Sequence, residues 1–301
     1  MYLLCQKNNI KSWHVLKVHH QLYAPPSPPH HFMGMSLRSD LGPTFTLISR
    51  QLALAVLPKS GMNNTFDSLS YILSTHRVSL SRGHVKTIFG DPDEHVMYKC
   101  LGVRPGRNAT GVLDCDKWAE RIGIIHWCRV MEMVQRAELL FEMFADQEVI
   151  DHIRVAKEVV PFKTMHAPHN HCKSEYIHHA KYFGAIAFDC NVFLRCHTDD
   201  DFTMSIAHVL LGGRTSYYLD DSVVVYFCFP TLGVAVPMRP GDFLLFNARL
   251  PHCISSRCCA DDDIMCISMF LKTAVVGGND NGKHLNDTEK YLSDLYRQLH
   301  L

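Results

Sequence analysis

The stretch GAIAFDCNVFLRCHTDDDFTMSIAHVLLGG, residues 184–213, decides how this chain is read. Its flanks, 184–196 and 202–213, are short, apolar and bounded by Gly or Asp, as strands are. Between them stands His197-Thr198-Asp199. A His-x-Asp beside a strand, joined by a second His from a distant strand, puts two imidazoles and one carboxylate on one face of a metal ion. The second His is His252. That facial set suits Fe(II), because positions stay open for a bidentate cosubstrate and then dioxygen. With 20 His in the chain and acids at a tenth of its positions, roughly two His-x-(Asp/Glu) tripeptides arise by chance. The chain holds only this one, inside its densest run of strand pattern.

Outward from there, 221–229, 234–236, 243–250 and 264–273 also read as strands. The sequence Arg239-Pro240-Gly241-Asp242 reads as a type II turn, since Pro presets φ and Gly accepts φ > 0 at the next position. No helix pattern interrupts the run. An antiparallel sandwich or jelly-roll barrel follows.

The order NVFLRCHTD (191–199), LLGG (210–213), LGVAVPMRPGDFLLFNARLPH (232–252) and IMCISMFL (264–271) resembles the catalytic core of the 2-oxoglutarate and Fe(II)-dependent dioxygenases. It is most similar in style to the branch holding the prolyl hydroxylase-like and TET/base-J-type oxygenase domains. The resemblance covers residues 184–275, less than a third of the chain. It implies an α+β fold whose double-stranded β-helix (jelly-roll) core is buttressed by N-terminal helices. It also implies Fe(II) held by His197, Asp199 and His252, 2-oxoglutarate as cosubstrate, and release of succinate and CO2. The substrate would be a protein side chain, a nucleobase or a small metabolite.

One departure stands out. The family places an Arg or Lys ahead of the Ile-Ser of the last strand to pair with the far carboxylate of 2-oxoglutarate, and here that position is Cys266. Arg257 and Lys272 are the nearby cations. Arg257 is preferred, because it is nearer His252 in sequence and its planar fork suits a carboxylate. Lys272 is placed at the opposite end of the strand. Asn191 is a second cosubstrate contact implied by the resemblance. Asp200 and Asp201 are read as facing solvent or the turn, and Phe188, Phe193, Phe227 and Phe246 as hydrophobic walls or plain core. Two alternatives stay open: a non-catalytic jelly-roll binding protein, and a cupin-type metalloprotein that does not use 2-oxoglutarate.

Composition sets bounds. An apolar fraction of 47% over 301 residues allows a sizeable core. Thirty basic and thirty acidic side chains cancel, so nucleic acid is possible as a partner but not indicated by net charge. The 12 Cys include the adjacent Cys258-Cys259 and several within strand patterns. With no secretory leader read at the start, they point to reduced thiols in an intracellular, cytoplasmic or nuclear protein. The sequons at Asn63, Asn108 and Asn286 are then read as chance. Arg50-Gln51 interrupts the longest apolar stretch, so no membrane span or membrane partner is expected.

Residues 1–42 carry the tract APPSPPHHF (24–32) and read as a flexible Pro/His-rich arm. The dioxygenase domain is set at 43–275, with helical support at about 116–160 and the jelly-roll core at about 184–275. Residues 44–82 show no clean period, and 84–90 suits a strand. The clearest helix is 116–145, where Trp127, Val130, Val134, Ala137, Phe141 and Phe144 form one stripe. Met131, Met133 and Met143 are read as core filling. A second helix spans 147–159 and stops before Pro161. Five His and one Cys within 166–179 are a rival zinc site without paired spacing, read rather as a loop near the site. Residues 276–301 are a linker and a C-terminal helix, with Tyr291, Leu292, Leu295 and Leu299 as its stripe.

Overall fold

The computed structural model describes residues 14–15, 34–39, 42–48, 59–75, 85–86, 98–105, 112–113, 122–159, 164–166, 179–190, 193–194, 196–212, 223–256 and 263–276. In chain order, β1 (His14–Val15), β2 (Gly34–Ser39), β3 (Gly42–Ile48) and helix α1 (Lys59–Thr75) come first. The short strands β4 (Val85–Lys86), β5 (Tyr98–Gly102), β6 (Arg104–Pro105) and β7 (Val112–Leu113) follow, then helices α2 (Ile124–Phe144) and α3 (Gln147–Val159). The core strands are β8 (Ala185–Cys190), β9 (Phe193–Leu194), β10 (Met204–Leu211), β11 (Val225–Phe229), β12 (Val234–Met238), β13 (Phe243–Asn247), β14 (Cys253–Ser256) and β15 (Ile264–Phe270), before the single turn α4 (Thr273–Val276).

The strands form a seven-stranded sheet in the order β2-β3-β13-β10-β15-β8-β5 and a four-stranded sheet in the order β1-β12-β11-β14. The core strands divide between the two sheets: β8, β10, β13 and β15 in the large one, the β11-β12 hairpin and β14 in the small one. This is the jelly-roll expected from the sequence, and it closes because each antiparallel strand offers one face to the interior. Phe45 of β3 stacks on Phe229 of β11 at 5.3 Å across the gap between the sheets. Register then defines the large sheet's inner face: Ser205 opposes Phe246, and Ala207, Ser268, Ala187 and Cys100 form one row across β10, β15, β8 and β5. The other face carries His208, Ile267 and Phe188 in one row.

Helix α2 forms because apolar residues recur at helical spacing, and it buries Trp127, Val130, Met131, Met133, Val134, Ala137, Leu140 and Phe141. The Trp127 indole N–H donates to the His166 carbonyl at 3.0 Å, so the ring carries no unsatisfied polar group into the core. The Arg239–Asp242 turn is as expected: Gly241 has φ 91°, and the Asp242 carboxylate accepts from the Arg239 N–H at 2.8 Å. Gly102 ends β5 with φ 104°, where a Cβ would stand 2.5 Å from the Gly184 carbonyl oxygen, so only Gly permits that strand crossing.

Several expectations change. Residues 34–39, read as part of a flexible arm, form β2 and pair with β3, which bonds to β13; a Pro-rich tract upstream does not prevent a following stretch from completing a sheet edge. The unassigned 44–82 region holds most of β3 and all of α1, whose amphipathic stripe is diluted by Asn63, Asn64 and Ser residues. Met131 and Met133 fill the core, whereas Met143 is 58% exposed on the far side of α2. Among the described residues no helix is long and apolar enough to cross a membrane. The C-terminal helix expected in 276–301 lies outside the described residues beyond α4.

Candidate metal centre

His197 and Asp199 lie on the lead-in to β10, and His252 lies at the start of β14. An isolated bridge joins them: the His197 N–H donates to the His252 carbonyl at 3.0 Å and the His252 N–H to the His197 carbonyl at 2.9 Å. The Asp199 N–H donates to the Ala248 carbonyl at 2.9 Å. Asn247 shapes the intervening corner, its side-chain oxygen accepting from the Arg249 N–H at 3.1 Å, as Asn does in tight turns. Sites 55 residues apart are thereby fixed by backbone pairing alone, since 252 − 197 = 55.

The side chains converge. One ligating atom from each of His197, Asp199 and His252 lies within 4.8 Å of the others, and among the described residues this is the one such group of three. Asp199 Oδ2 is 3.4 Å from His197 Nε2 and 3.7 Å from His252 Nε2. Two ligands about 2.1 Å from one ion at right angles stand roughly 3 Å apart, so a small inward movement closes the set on a cation. The donor chemistry also fits. His252 Nδ1 is 2.8 Å from the Leu250 carbonyl, which can only accept, so Nδ1 carries the hydrogen and Nε2 of the neutral ring presents a lone pair. That lone pair faces a carboxylate oxygen. Two acceptors directed at each other are stabilised by a cation between them.

Phe227 stacks on the His252 ring at 5.5 Å and Phe246 meets it edge-on at 5.1 Å. These two serve as walls for the site. Phe188 does not: alternation puts its neighbour Ala187 on the inner face, so Phe188 points away and is fully buried in the core. Burial is the largest influence on His252 and, with the nearby His197, lowers its pKa to about 4. For Asp199 burial acts upward, but the hydrogen bond from His197 and the charge of Lys272 outweigh it and hold the carboxyl well below the usual range.

Lys272 is the main correction. Its ammonium lies 3.1 Å from Asp199 Oδ1 and 2.6 Å from Asp201 Oδ1, beside the triad rather than at the opposite end of the strand. The reason is direction: β15 runs antiparallel to β10, so the end of β15 meets the lead-in of β10, and Asp201 bridges Lys272. Asp201 is overturned with it. It is 2% exposed, with Oδ2 accepting from Ser205 Oγ at 2.6 Å, while Asp200 is exposed as expected. Arg249, also missed, donates from Nε to the Asp201 carbonyl at 3.0 Å and from its terminal nitrogen to Thr273 Oγ1 at 3.4 Å. The antiparallel pairing of IMCISMFLKT with FTMSIAHVLL was the signal that could have located Lys272.

Cys266 opposes Val209 and Asp189, deeper along the same inner face, and is buried. Burial pushes its thiol up, and the neighbouring Asp189 adds to that, so this position offers no positive charge. Arg257 and Asn191 lie outside the described residues. Of the 166–179 cluster, His166 and His179 are described, and they pair as a bridge with rings 5.7 Å apart.

No family model matches the chain, and no curated protein sequence matches it. Solved structures do. A bacterial prolyl-4-hydroxylase from Pseudomonas putida aligns over 76% of this chain and 92% of its own at 12% identity, TM-score 0.36. The dioxygenase for auxin oxidation AtDAO1 from Arabidopsis thaliana, solved with 2-oxoglutarate, aligns over 76% and 83% at 11% identity, TM-score 0.37. NgTET1, solved in complex with 5mC DNA, aligns over 91% of this chain and 88% of its own at 11% identity, TM-score 0.51. The chain therefore has the double-stranded β-helix fold found in the 2-oxoglutarate and Fe(II)-dependent oxygenases.

Proposed function

We propose that the chain is an Fe(II)- and 2-oxoglutarate-dependent oxygenase that hydroxylates a C–H bond of an organic substrate. The observation that supports it most is the lone pair of His252 Nε2 directed at Asp199 Oδ2 beside His197, inside a fold whose solved examples include such oxygenases. When bound, iron and 2-oxoglutarate supply the oxidising chemistry, in which 2-oxoglutarate, dioxygen and substrate give succinate, CO2 and hydroxylated product.

The chain's own residues hold, orient and shield. His197, Asp199 and His252 would hold the ion, and the Leu250 carbonyl keeps the His252 ring in the ligating tautomer. Phe227 and Phe246 exclude water on the His252 side. Arg257 and Asn191 are proposed as contacts to the cosubstrate. Lys272 is held by two carboxylates, which leaves Arg257 the preferred anchor of the pair. The test is succinate release from 2-oxoglutarate by protein reconstituted with Fe(II) without oxygen and then aerated, across a panel of peptides, metabolites and DNA containing 5-methylcytosine. The last is included because NgTET1 was solved with that ligand. No succinate with any member of the panel counts against the reading.

A second reading has one observation of its own. Cys266 sits beside Asp189 on the inner face, where the resemblance calls for a cation. That favours a metalloprotein which binds iron and not 2-oxoglutarate. Calorimetric titration of the iron-loaded protein with 2-oxoglutarate separates the two.

A further inference from the structure

We infer that Lys272 is a positioning residue for the metal centre: with Asp201 and Ser205 it holds Asp199 so that one carboxylate oxygen alone is presented to the ion. The inference rests on the reading of His197, Asp199 and His252 as metal ligands. Asp199 divides its two oxygens. Oδ1 accepts from the Lys272 ammonium at 3.1 Å, and Oδ2 faces both imidazoles. A carboxylate free to rotate can chelate through both oxygens and occupy a position that the facial set leaves open. An ammonium bound to Oδ1 opposes that rotation.

The ammonium is itself fixed. Its Nζ is 2.6 Å from Asp201 Oδ1 and 4.8 Å from the centroid of the Phe270 ring, so its directions are taken by Asp199, Asp201 and an aromatic face. Asp201 is fixed in turn. Ser205 Oγ donates to Oδ2, and Arg249 Nε donates to its carbonyl. Backbone bonds from Phe202 N–H to the Leu271 carbonyl at 2.7 Å and from Thr273 N–H to the Asp200 carbonyl at 3.1 Å lock the two chain segments together. The chain Ser205, Asp201, Lys272, Asp199 thus runs from a fully buried strand hydroxyl to a ligand oxygen, and every member is aimed by the next. Outer partners of this kind set ligand orientation and metal affinity.

The test uses Co(II) as the probe, on the full chain, with affinity read by titration and coordination read from the visible absorption spectrum. Lys272→Met is expected to weaken Co(II) binding by about 10–100-fold and to shift the spectrum toward higher coordination, as Asp199 becomes bidentate. Lys272→Arg, which keeps a cation at that position, is expected to recover most of the affinity and the wild-type spectrum. Unfolding midpoints are measured alongside. Wild-type affinity and spectrum in Lys272→Met overturn the inference and leave a simple ion-pair staple. So does an Arg variant that binds as poorly as the Met variant while unfolding like wild type. Should Lys272→Met fail to fold, Lys272→Gln replaces it with the same two outcomes. A wild-type chain that takes up no Co(II) overturns the metal reading itself, and the positioning role with it.

Discussion

Two acid clusters in this molecule use the same residue types for different ends. On α2, Glu138 is 3% exposed, and its carboxylate accepts three backbone N–H groups: Tyr182 at 2.7 Å and Phe183 at 3.1 Å on Oε1, Lys181 at 2.8 Å on Oε2. Its neighbour Glu142 takes the Lys181 ammonium at 2.9 Å and the Tyr182 hydroxyl at 2.8 Å. At the barrel mouth, Asp199 and Asp201 share Lys272. Both clusters set two carboxylates about one lysine, Glu138 through the Lys181 backbone N–H, yet only the second has an oxygen facing an acceptor, the lone pair of His252 Nε2. Glu138 faces donors throughout, and its cluster ties the lead-in of β8 to the helical layer. Asp199 Oδ2 faces two imidazole nitrogens, an arrangement that makes chemical sense around a cation. What separates the structural acid from the ligand acid is the hydrogen-bond character of its neighbours.

The sharpest way to break the comparison is to remove each acid and ask what is lost. Asp199→Ala should abolish Fe(II)-dependent turnover and Co(II) binding while shifting unfolding little, because the side chain is 39% exposed and replacing it strands no buried amide. Retained metal-dependent turnover would sink its assignment as a ligand. Glu138→Ala should do the reverse. Three backbone amides, that of Phe183 buried and those of Lys181 and Tyr182 part-buried, lose their acceptor, which costs about 2–4 kcal/mol in a denaturant titration, and the variant that remains folded should bind Co(II) normally. If it instead loses metal binding at full stability, the two clusters are coupled.

The same contrast shows what the sequence made legible. The convergence of His197, Asp199 and His252 was readable because His-x-Asp spacing and a strand-rich context act locally, and because a facial triad demands few residue types. The core strands were readable because they are buried on both faces, which leaves short continuous apolar runs bounded by turn residues. Glu138 was not, since it sits one position past Ala137 on the apolar stripe and looks there like an ordinary helix-surface acid. Its partners lie 43–45 positions away in sequence. Lys272 escapes a linear reading for a different reason: distance from His252 along the chain says less than strand direction, because antiparallel pairing reverses the order. The β2 and β3 hairpin and α1 were unreadable because their faces are diluted by polar residues, and packing against the sheet decides their structure.

A third test lies on the helix-facing side of the large sheet, away from both clusters. His208 is fully buried, stacks on Phe243 at 3.8 Å, and has Nδ1 3.0 Å from the Asp242 carbonyl. Burial lowers its pKa from 6.5 to about 4. Above about pH 6.5 the ring is neutral folded and unfolded, so its contribution is fully present. Below that the unfolded chain takes up a proton that the folded chain refuses, and stability falls until about pH 4, by about 3 kcal/mol in all. Chemical denaturation at pH 7, 5.5 and 4.5 should show this slope, and His208→Phe should flatten it by one proton's worth. An unchanged slope would assign the acid sensitivity to other groups, His252 foremost.

The smallest effect belongs to the outer half of the α2 cluster. Glu142 and Lys181 form an ion pair at 2.9 Å, but the Lys181 side chain is 65% exposed and that of Glu142 31%. Burial acts to raise the Glu142 carboxyl, and the hydrogen bonds from Lys181 and Tyr182 outweigh it, so the group stays charged at neutral pH with its pKa below the ordinary value. A pair this open to water is screened by salt, and it also holds two long side chains in one geometry at an entropic cost. Glu142→Gln keeps an acceptor for the Tyr182 hydroxyl and removes only the charge. The expected loss is below about 1 kcal/mol, shrinking further at 1 M salt, where the Debye length falls to about 3 Å. A loss as large as that of Glu138→Ala would mean that Lys181 and Tyr182 are held in place by Glu142, and that the three amides reach Glu138 only through it.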